Sequence, residues 1–181
     1  YLSAVEIYQR LTIANPQVYE PYLARTQDNL GTLYDNTQRY KDSEKMYLSA
    51  MEIYRRLAAA NPQVYEPDLA GTQNDLGILY SDTRRYEESE EMYLSAVEIY
   101  RRLAAANPQV YEPDLARTQY NLGCLYSDTQ RYKDSEKMYL SAMEIYRRLA
   151  AANPQVYEPD LAGTQNNLGN LYRDTQRYED S

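Results

Sequence analysis

Apolar residues of this chain recur at helical spacing in two stripes, which repeat along its length. An α-helix turns by about 100° per residue. At this rotation, one group of apolar residues within 67–112 falls on one side of a helix. Its members are Leu69, Leu76, Gly77, Leu79 and Tyr80. The second stripe contains Tyr93, Ala96, Val97, Tyr100 and Leu103. The spacing predicts a helix over about 67–81, called helix A, and another over about 87–106, called helix B.

Proline and asparagine mark the predicted helix ends. Pro67 fits a first helical turn, where the N–H that it lacks would have no partner, and the carboxylate of Asp68 is favourable near the positive end of the helix dipole. Helix B is predicted to end at Asn107, because the residue before a proline disfavours the α region. Residues 109–112 are then expected to form a linker to the next helix A.

The two helices form one unit of a repeat. Asn-Pro-Gln-Val-Tyr-Glu-Pro recurs every 46 residues, with its first proline at Pro16, Pro62, Pro108 and Pro154. Such a period indicates stacked units, because one helix pair cannot bury its apolar face alone. We predict a single all-α array over 1–181, a right-handed superhelical solenoid of antiparallel pairs made of eight helices. It divides into helix B of a partial repeat at 1–20, full repeats at 21–66, 67–112 and 113–158, and a partial repeat at 159–181.

The helix A sequence resembles a known family. Leu76-Gly77-x-x-Tyr80, followed by Ser89, Tyr93 and Ala96, is similar to the tetratricopeptide repeat signature, and the pattern starts again at the other Leu-Gly pairs, at positions 30, 122 and 168. The usual period of that family is about 34 residues, so this longer unit is more similar to the repeats of kinesin light chains and related microbial arrays. The resemblance implies a scaffold that binds proteins or peptides. The period of 46 residues predicts that Tyr34, Tyr80, Tyr126 and Tyr172 repeat in the core.

The copies differ mainly on one face of helix A, opposite the apolar stripe. In the tetratricopeptide family this face lines a concave groove, so the resemblance implies a peptide-binding groove here. Its candidate residues are Arg25, Asn29, Asp75, Arg117, Tyr120, Asn121, Asn167 and Arg173. The asparagines match a ladder that grips a peptide backbone, since an amide both donates and accepts hydrogen bonds, and Asp75 interrupts it. The alternative interpretation is that these positions vary because they are solvated.

The amino-acid composition excludes several kinds of catalytic and metal-binding site. The chain has no histidine and one cysteine, which excludes an imidazole base, a His metal ligand and a Cys-based zinc site, so we expect no enzyme, no cofactor and no metal. Cys124 is interpreted as a packing residue. A net charge of −8 argues against nucleic acid and anionic membrane surfaces, and favours a neutral or basic protein or peptide partner. Without a long apolar run the chain is expected to be soluble, and whether it is cytoplasmic or extracellular stays open.

A second hypothesis is head-to-tail self-assembly into a filament. The repeats alternate with a superperiod of 92 residues, since Arg25 and Arg117 alternate with Gly71 and Gly163, and the last residues lead back in phase and type to the first. A first helix B and a last helix A without partners would expose apolar faces, and uncapped repeats associate. The expected stacking residues are Val5, Tyr8, Leu11, Leu161, Leu168, Leu171 and Tyr172. In that case the partner is a second copy of the chain, or a covalent continuation of the array.

Overall fold

The structure is a computed structural model that describes residues 1–175. Those residues contain eight α-helices and no strand, which confirms the all-α prediction. The helices are α1 (Leu2–Ala14), α2 (Pro16–Asn36), α3 (Tyr40–Ala60), α4 (Pro62–Asp82), α5 (Tyr86–Ala106), α6 (Pro108–Asp128), α7 (Tyr132–Ala152) and α8 (Pro154–Asp174). Even-numbered helices correspond to helix A and odd-numbered ones to helix B. The end of the predicted last repeat, residues 176–181, lies outside the described residues.

A single asparagine separates each described helix B from the helix A that follows. Asn61 is extended, with φ −143° and ψ 81°, and its N–H still donates to the carbonyl of Leu57 at 2.8 Å. The following Pro62 stands in the first helical turn, where its fixed φ and missing N–H cost nothing. The prediction that helix B ends at the Asn-Pro pair is therefore confirmed.

The prediction that helix A starts at Pro67 is wrong. Helix α4 starts at Pro62, and residues 109–112, which were expected to form a linker, are helical in α6. Both prolines suit a first turn, and the earlier one occupies it because Asn61 leaves the helical region just before it. Pro67 lies inside the helix, at the loss of one main-chain hydrogen bond. The repeat limits predicted at 21, 67, 113 and 159 thus fall within helices.

Each of the three turns from helix A to helix B within residues 1–175 contains one residue in the left-handed region. In the first turn this residue is Gln38, with φ 59°, and Arg84 and Gln130 follow with φ 60°. The Gln38 N–H donates to the Asp35 carbonyl at 2.8 Å, and the Arg39 N–H donates to the Tyr34 carbonyl at 2.8 Å. This pair of bonds is a Schellman motif, formed without the glycine that usually occupies its left-handed position.

The chain divides into two compact units, Tyr1–Met92 and Tyr93–Ser181. In unit 1, α1 packs on α2, α2 on α3 and α3 on α4. A Cβ atom added to Gly31 would lie 2.7 Å from Cδ1 of Tyr47, and the Ser43 hydroxyl donates to the Gly31 carbonyl at 2.9 Å. The glycine of helix A therefore admits a close helix B, as the sequence predicts.

In unit 2, α6 packs on α7 and α7 on α8. The same glycine contact recurs, since a Cβ on Gly123 would lie 2.7 Å from Cδ1 of Tyr139. The core of this unit includes a cluster of buried residues between α7 and α8, namely Tyr139, Met143, Leu168, Leu171 and Tyr172. The four tyrosines expected in the core, Tyr34, Tyr80, Tyr126 and Tyr172, are all buried, which confirms that prediction.

The expectation that the stacking residues expose apolar faces is wrong for four of them. The structure buries the side chains of Val5, Leu168, Leu171 and Tyr172. Tyr8, Leu11 and Leu161 are half-buried, and the Tyr8 ring stacks on Tyr22 with centroids 5.7 Å apart. The reason is that α1 and α8 each pack against their neighbour in the same unit, which already covers these apolar stripes.

Candidate functional site

The face of helix A that varies among the repeats is not uniformly exposed to solvent. Arg25, Asn29, Arg117 and Arg173 are exposed, and Asp75, Tyr120, Asn121 and Asn167 are half-buried. Exposure also varies within one column of this face, because Asn74 is fully buried, Asp28 is half-buried and Asn166 is exposed. Rotation along a single helix assigns this column to solvent. Within unit 1, however, Thr72 of the next helix A reaches Asp28.

In unit 2 the variable face contains a polar cluster built around Tyr120. The Asn167 amide donates to the Tyr120 hydroxyl at 2.9 Å and to the Cys124 sulfur at 3.7 Å. The Tyr139 hydroxyl also donates to that sulfur at 3.3 Å, and the rings of Tyr120 and Tyr139 lie 5.9 Å apart. Burial raises the pKa of the Cys124 thiol, so it is held in its unreactive form.

Beside this cluster lies a cavity of about 200 Å³, called the Tyr120 pocket. It is lined by Arg117, Tyr120 and Asn121 of α6, Tyr146 of α7, and Pro159, Asp160, Gly163 and Thr164 of α8. Three predicted groove residues thus meet at one place, and a fourth, Asn167, holds the tyrosine there. Arg173 is not among the lining residues, and its side chain pairs with Asp174 at 3.3 Å.

The position equivalent to Tyr120 in unit 1 is occupied by a carboxyl group. Asp28 stands where unit 2 has Tyr120, and it accepts a hydrogen bond of 2.7 Å from the Thr72 hydroxyl of α4. Burial raises the pKa of Asp28 to about 6, against the hydrogen bond from Thr72, which lowers it. The nearby carboxylates Asp75 and Asp68 also contribute to this rise in the pKa. Two repeats that are nearly identical in sequence therefore present different chemistry on this face.

Sequence reasoning missed the side chains that join successive helix pairs. The Arg85 guanidinium lies over the Tyr80 ring, 4.2 Å from its centroid, and pairs with Glu44 at 2.7 Å and Glu88 at 2.6 Å. Tyr80 also donates to Glu44 at 3.1 Å. Glu44 and Tyr80 are 36 residues apart, and the pair recurs as Glu136 and Tyr172, so recurrence of the two residue types was the available signal.

A second missed contact lies in the segment that was expected to be a linker. Arg56 of α3 pairs with Glu20 of α2 at 3.0 Å, and Arg148 of α7 pairs with Glu112 of α6 at 2.8 Å. Because residues 16–20 and 108–112 are helical, each glutamate reaches the arginine of the following helix B. These pairs are partly exposed, so each contributes at most about 1 kcal/mol.

Over residues 1–175 we find no group of three or more acidic or cysteine side chains placed to hold a metal ion. None of the helices in that range combines the length and the apolar character that a bilayer crossing needs.

Comparison with known protein families shows which family the chain belongs to. Two family models, both described as tetratricopeptide repeat, match the sequence, one at residues 68–148 and the other at residues 23–62 and 161–181. The chain belongs to the tetratricopeptide repeat family. It is therefore a protein-interaction scaffold of helix pairs, and its Leu-Gly, Ser and Tyr signature serves packing, as the contacts of Gly31 with Tyr47 and Ser43 show.

Solved structures agree with this fold. BtubC (BKLC) from P. vanneervenii is 21% identical, with a TM-score of 0.59, and the match covers 98% of this chain and 82% of that one. The apo form of RapI is 20% identical, with a TM-score of 0.73, and the match covers 98% of this chain and 59% of RapI. At such identities the similarity shows the tetratricopeptide fold alone. No curated protein matches the sequence.

Proposed function

We propose that this tetratricopeptide array acts without catalysis and binds an extended polypeptide along the variable face of its A helices. The observation that carries the proposal is the Tyr120 pocket, where Arg117, Tyr120 and Asn121 converge around an open cavity. A tyrosine held beside a cavity of side-chain size is a common anchor in protein interfaces. In unit 2, half-buried Asn121 would contact the peptide backbone through its amide, and exposed Asn29 would offer the same kind of contact in unit 1.

The contacts of Asn167 change the role that we propose for it in the asparagine ladder. Asn167 already uses its amide hydrogens on Tyr120 and Cys124, so its role would be to orient the tyrosine rather than to grip the peptide. Asp75 accepts a hydrogen bond from the Asn74 amide at 3.1 Å, which orients its carboxylate. The acidic residues on this face and the net charge of −8 favour a neutral or basic partner.

A displayed library of random peptides, selected on the purified chain, tests this proposal. We expect selected peptides to lose several-fold to about a hundredfold in affinity for a Tyr120→Ala, Asn121→Ala double variant. Arg55→Ala, an exposed change on α3, is the matched control and should bind as the natural chain does. Thermal unfolding of each variant separates lost binding from lost fold. Full affinity in the folded double variant would show that the peptide uses another surface.

A second candidate function, head-to-tail self-assembly, is favoured by the open face of α8. Gly31 and Gly123 are covered by tyrosine rings, whereas nothing lies within 4 Å of a Cβ placed on Gly169. Leu140, Met143 and Leu168 line a cavity of about 360 Å³ at that place. This face would accept a helix B. A second copy offers Tyr1, which directly precedes α1, is 62% exposed and stands at the repeat position of Tyr47.

The contact would therefore use Tyr1 rather than the buried Val5. Light scattering over a range of concentrations measures it, with Gly169→Arg as the variant that blocks the face without disturbing a packed neighbour. We expect mass to rise with concentration for the natural chain and to stay monomeric for the variant. A constant monomer mass in both would remove self-assembly and leave the interaction scaffold.

A further inference from the structure

Gly163 contributes an open part of the wall of the Tyr120 pocket. A Cβ atom built on Gly163 meets no atom within 4 Å, so the pocket wall is open there. The other repeats carry Arg25, Gly71 and Arg117 at this position, so in two of them the same place in the helix holds a long basic side chain. Unit 2 thus leaves a space beside Gly163 into which a side chain from outside fits.

The walls of the pocket suit an alkyl chain that ends in a charge. Tyr146, which is buried, and the rings of Tyr120 and Pro159 provide apolar surface. Tyrosine rings also attract cations through their faces. A lysine or arginine side chain places its methylene groups against such walls and carries its charge to the rim.

The charges around the pocket favour a cation. Arg117 pairs with Asp114 at 2.9 Å, so its charge is already balanced. Asp160 is exposed at the rim, and no described residue forms an ion pair with it. Burial raises the pKa of Tyr146, and Asp160 raises it further, which shows that this carboxylate acts on the pocket. The three charges Arg117, Asp114 and Asp160 leave a net charge of −1 for the ligand to balance.

We infer that the Tyr120 pocket takes a lysine or arginine side chain of the bound polypeptide, with Asp160 pairing its charge and the two tyrosine rings contacting its stem. This inference rests on the proposed function, since it names the residue type that the groove recognises. An acidic ligand side chain would instead meet the unbalanced Asp160 carboxylate at the rim, and we expect it to be rejected.

Titration of the full chain with blocked amino acids tests the pocket directly. The probes are N-acetyl-lysine methylamide, its arginine counterpart, and N-acetyl-norleucine methylamide, which has a similar stem without the charge. We expect the first two to shift the backbone amide signals of Gly163 and Thr164 in nitrogen-proton correlation spectra, and the third to leave them unchanged. Equal shifts with norleucine, or shifts confined to other residues, would overturn the inference.

Two variants and one control sharpen the test. Gly163→Leu fills the space and should abolish the shifts caused by lysine, and because its Cβ meets nothing, the fold should survive. Asp160→Asn should weaken lysine binding by about threefold to fivefold. Asp174→Asn removes the same charge from the exposed end of α8, and should have no effect. Unchanged lysine binding in both pocket variants would show that the probe binds elsewhere.

The two proposals fail in different ways. If peptides selected on the chain depend on Tyr120 but contain no enriched lysine or arginine, the groove stands and the basic pocket is wrong. If the library yields no peptide while the lysine probe still shifts Gly163, polypeptide binding is wrong and the cation preference of the pocket is supported on its own.

Discussion

Asp28 carries a carboxyl group that the equivalent residues of the other repeats, Asn74, Tyr120 and Asn166, lack. Its carboxyl is packed between α2 and α4 with one hydrogen bond, from Thr72. Burial raises its pKa from 3.8 to about 6. The folded chain therefore holds a proton on Asp28 at pH values where the unfolded chain has released it, and this carboxyl makes the fold less stable as pH rises from about 4 to 6.

Asp28→Asn is expected to stabilise the chain at neutral pH. The amide keeps an oxygen for Thr72 and carries no buried charge, so we expect a gain of about 2 kcal/mol in the free energy of unfolding at pH 7. The gain should shrink as pH falls from 6 to 4. Urea unfolding at several pH values measures it, with Asp128→Asn, an exposed change, as the control. A gain that stays constant over this range would contradict the assigned pKa.

At the scale of one element, the turn between helix A and helix B carries strain that the sequence does not relieve. Gln130 adopts φ 60°, which costs a residue with a Cβ about 1 kcal/mol or more relative to glycine. Its N–H still donates to the Ser127 carbonyl at 3.0 Å, and the next N–H, from Arg131, donates to Tyr126 at 2.8 Å. The motif is therefore intact apart from the residue type at its centre.

Gln130→Gly should stabilise the chain by about 1 kcal/mol. Thr129→Gly, one residue earlier, is the matched control, because Thr129 has φ −93° and its hydroxyl donates to the Leu125 carbonyl at 2.8 Å. That control gains nothing from glycine and loses the hydrogen bond, so it should destabilise. Thermal unfolding of the two variants gives both values, and a similar loss in each would show that the left-handed residue is not strained.

Helix periodicity predicts elements better than it predicts how they meet. The apolar spacing and the Asn-Pro pairs are local signals, and they located all eight helices and the ends of the B helices. The predicted helix start at Pro67 was wrong because Pro62 and Pro67 both suit a first helical turn. Only the extended conformation of Asn61 distinguishes the two prolines. The hydrogen bonds from Thr72 to Asp28 and from Asn167 to Tyr120 join residues 44 and 47 positions apart. They depend on how successive A helices pack, which no single-helix pattern contains.

At the scale of the whole molecule, the repeats place the same residue in different surroundings, so one substitution can be compared between repeats. Gly31, Gly123 and Gly169 are equivalent in sequence, yet their surroundings differ. A Cβ on Gly31 or Gly123 would lie 2.7 Å from a tyrosine ring of the following helix B, and one on Gly169 meets nothing within 4 Å. In a repeat array each unit is stabilised mainly by its neighbours, so equivalent positions need not be equivalent in energy.

Alanine at these glycines should therefore change stability in opposite directions. Gly123→Ala must displace the Tyr139 ring, and overpacking of this kind costs about 1–3 kcal/mol, more than the gain of about 1 kcal/mol that alanine brings to a helix interior. Gly169→Ala keeps that gain without a clash. Urea unfolding should show the first variant less stable and the second more stable than the natural chain. The measurement is made at a concentration where light scattering gives a monomer mass, and equal destabilisation of both variants there would mean that the chain itself covers Gly169, so the self-assembly candidate would lose its surface.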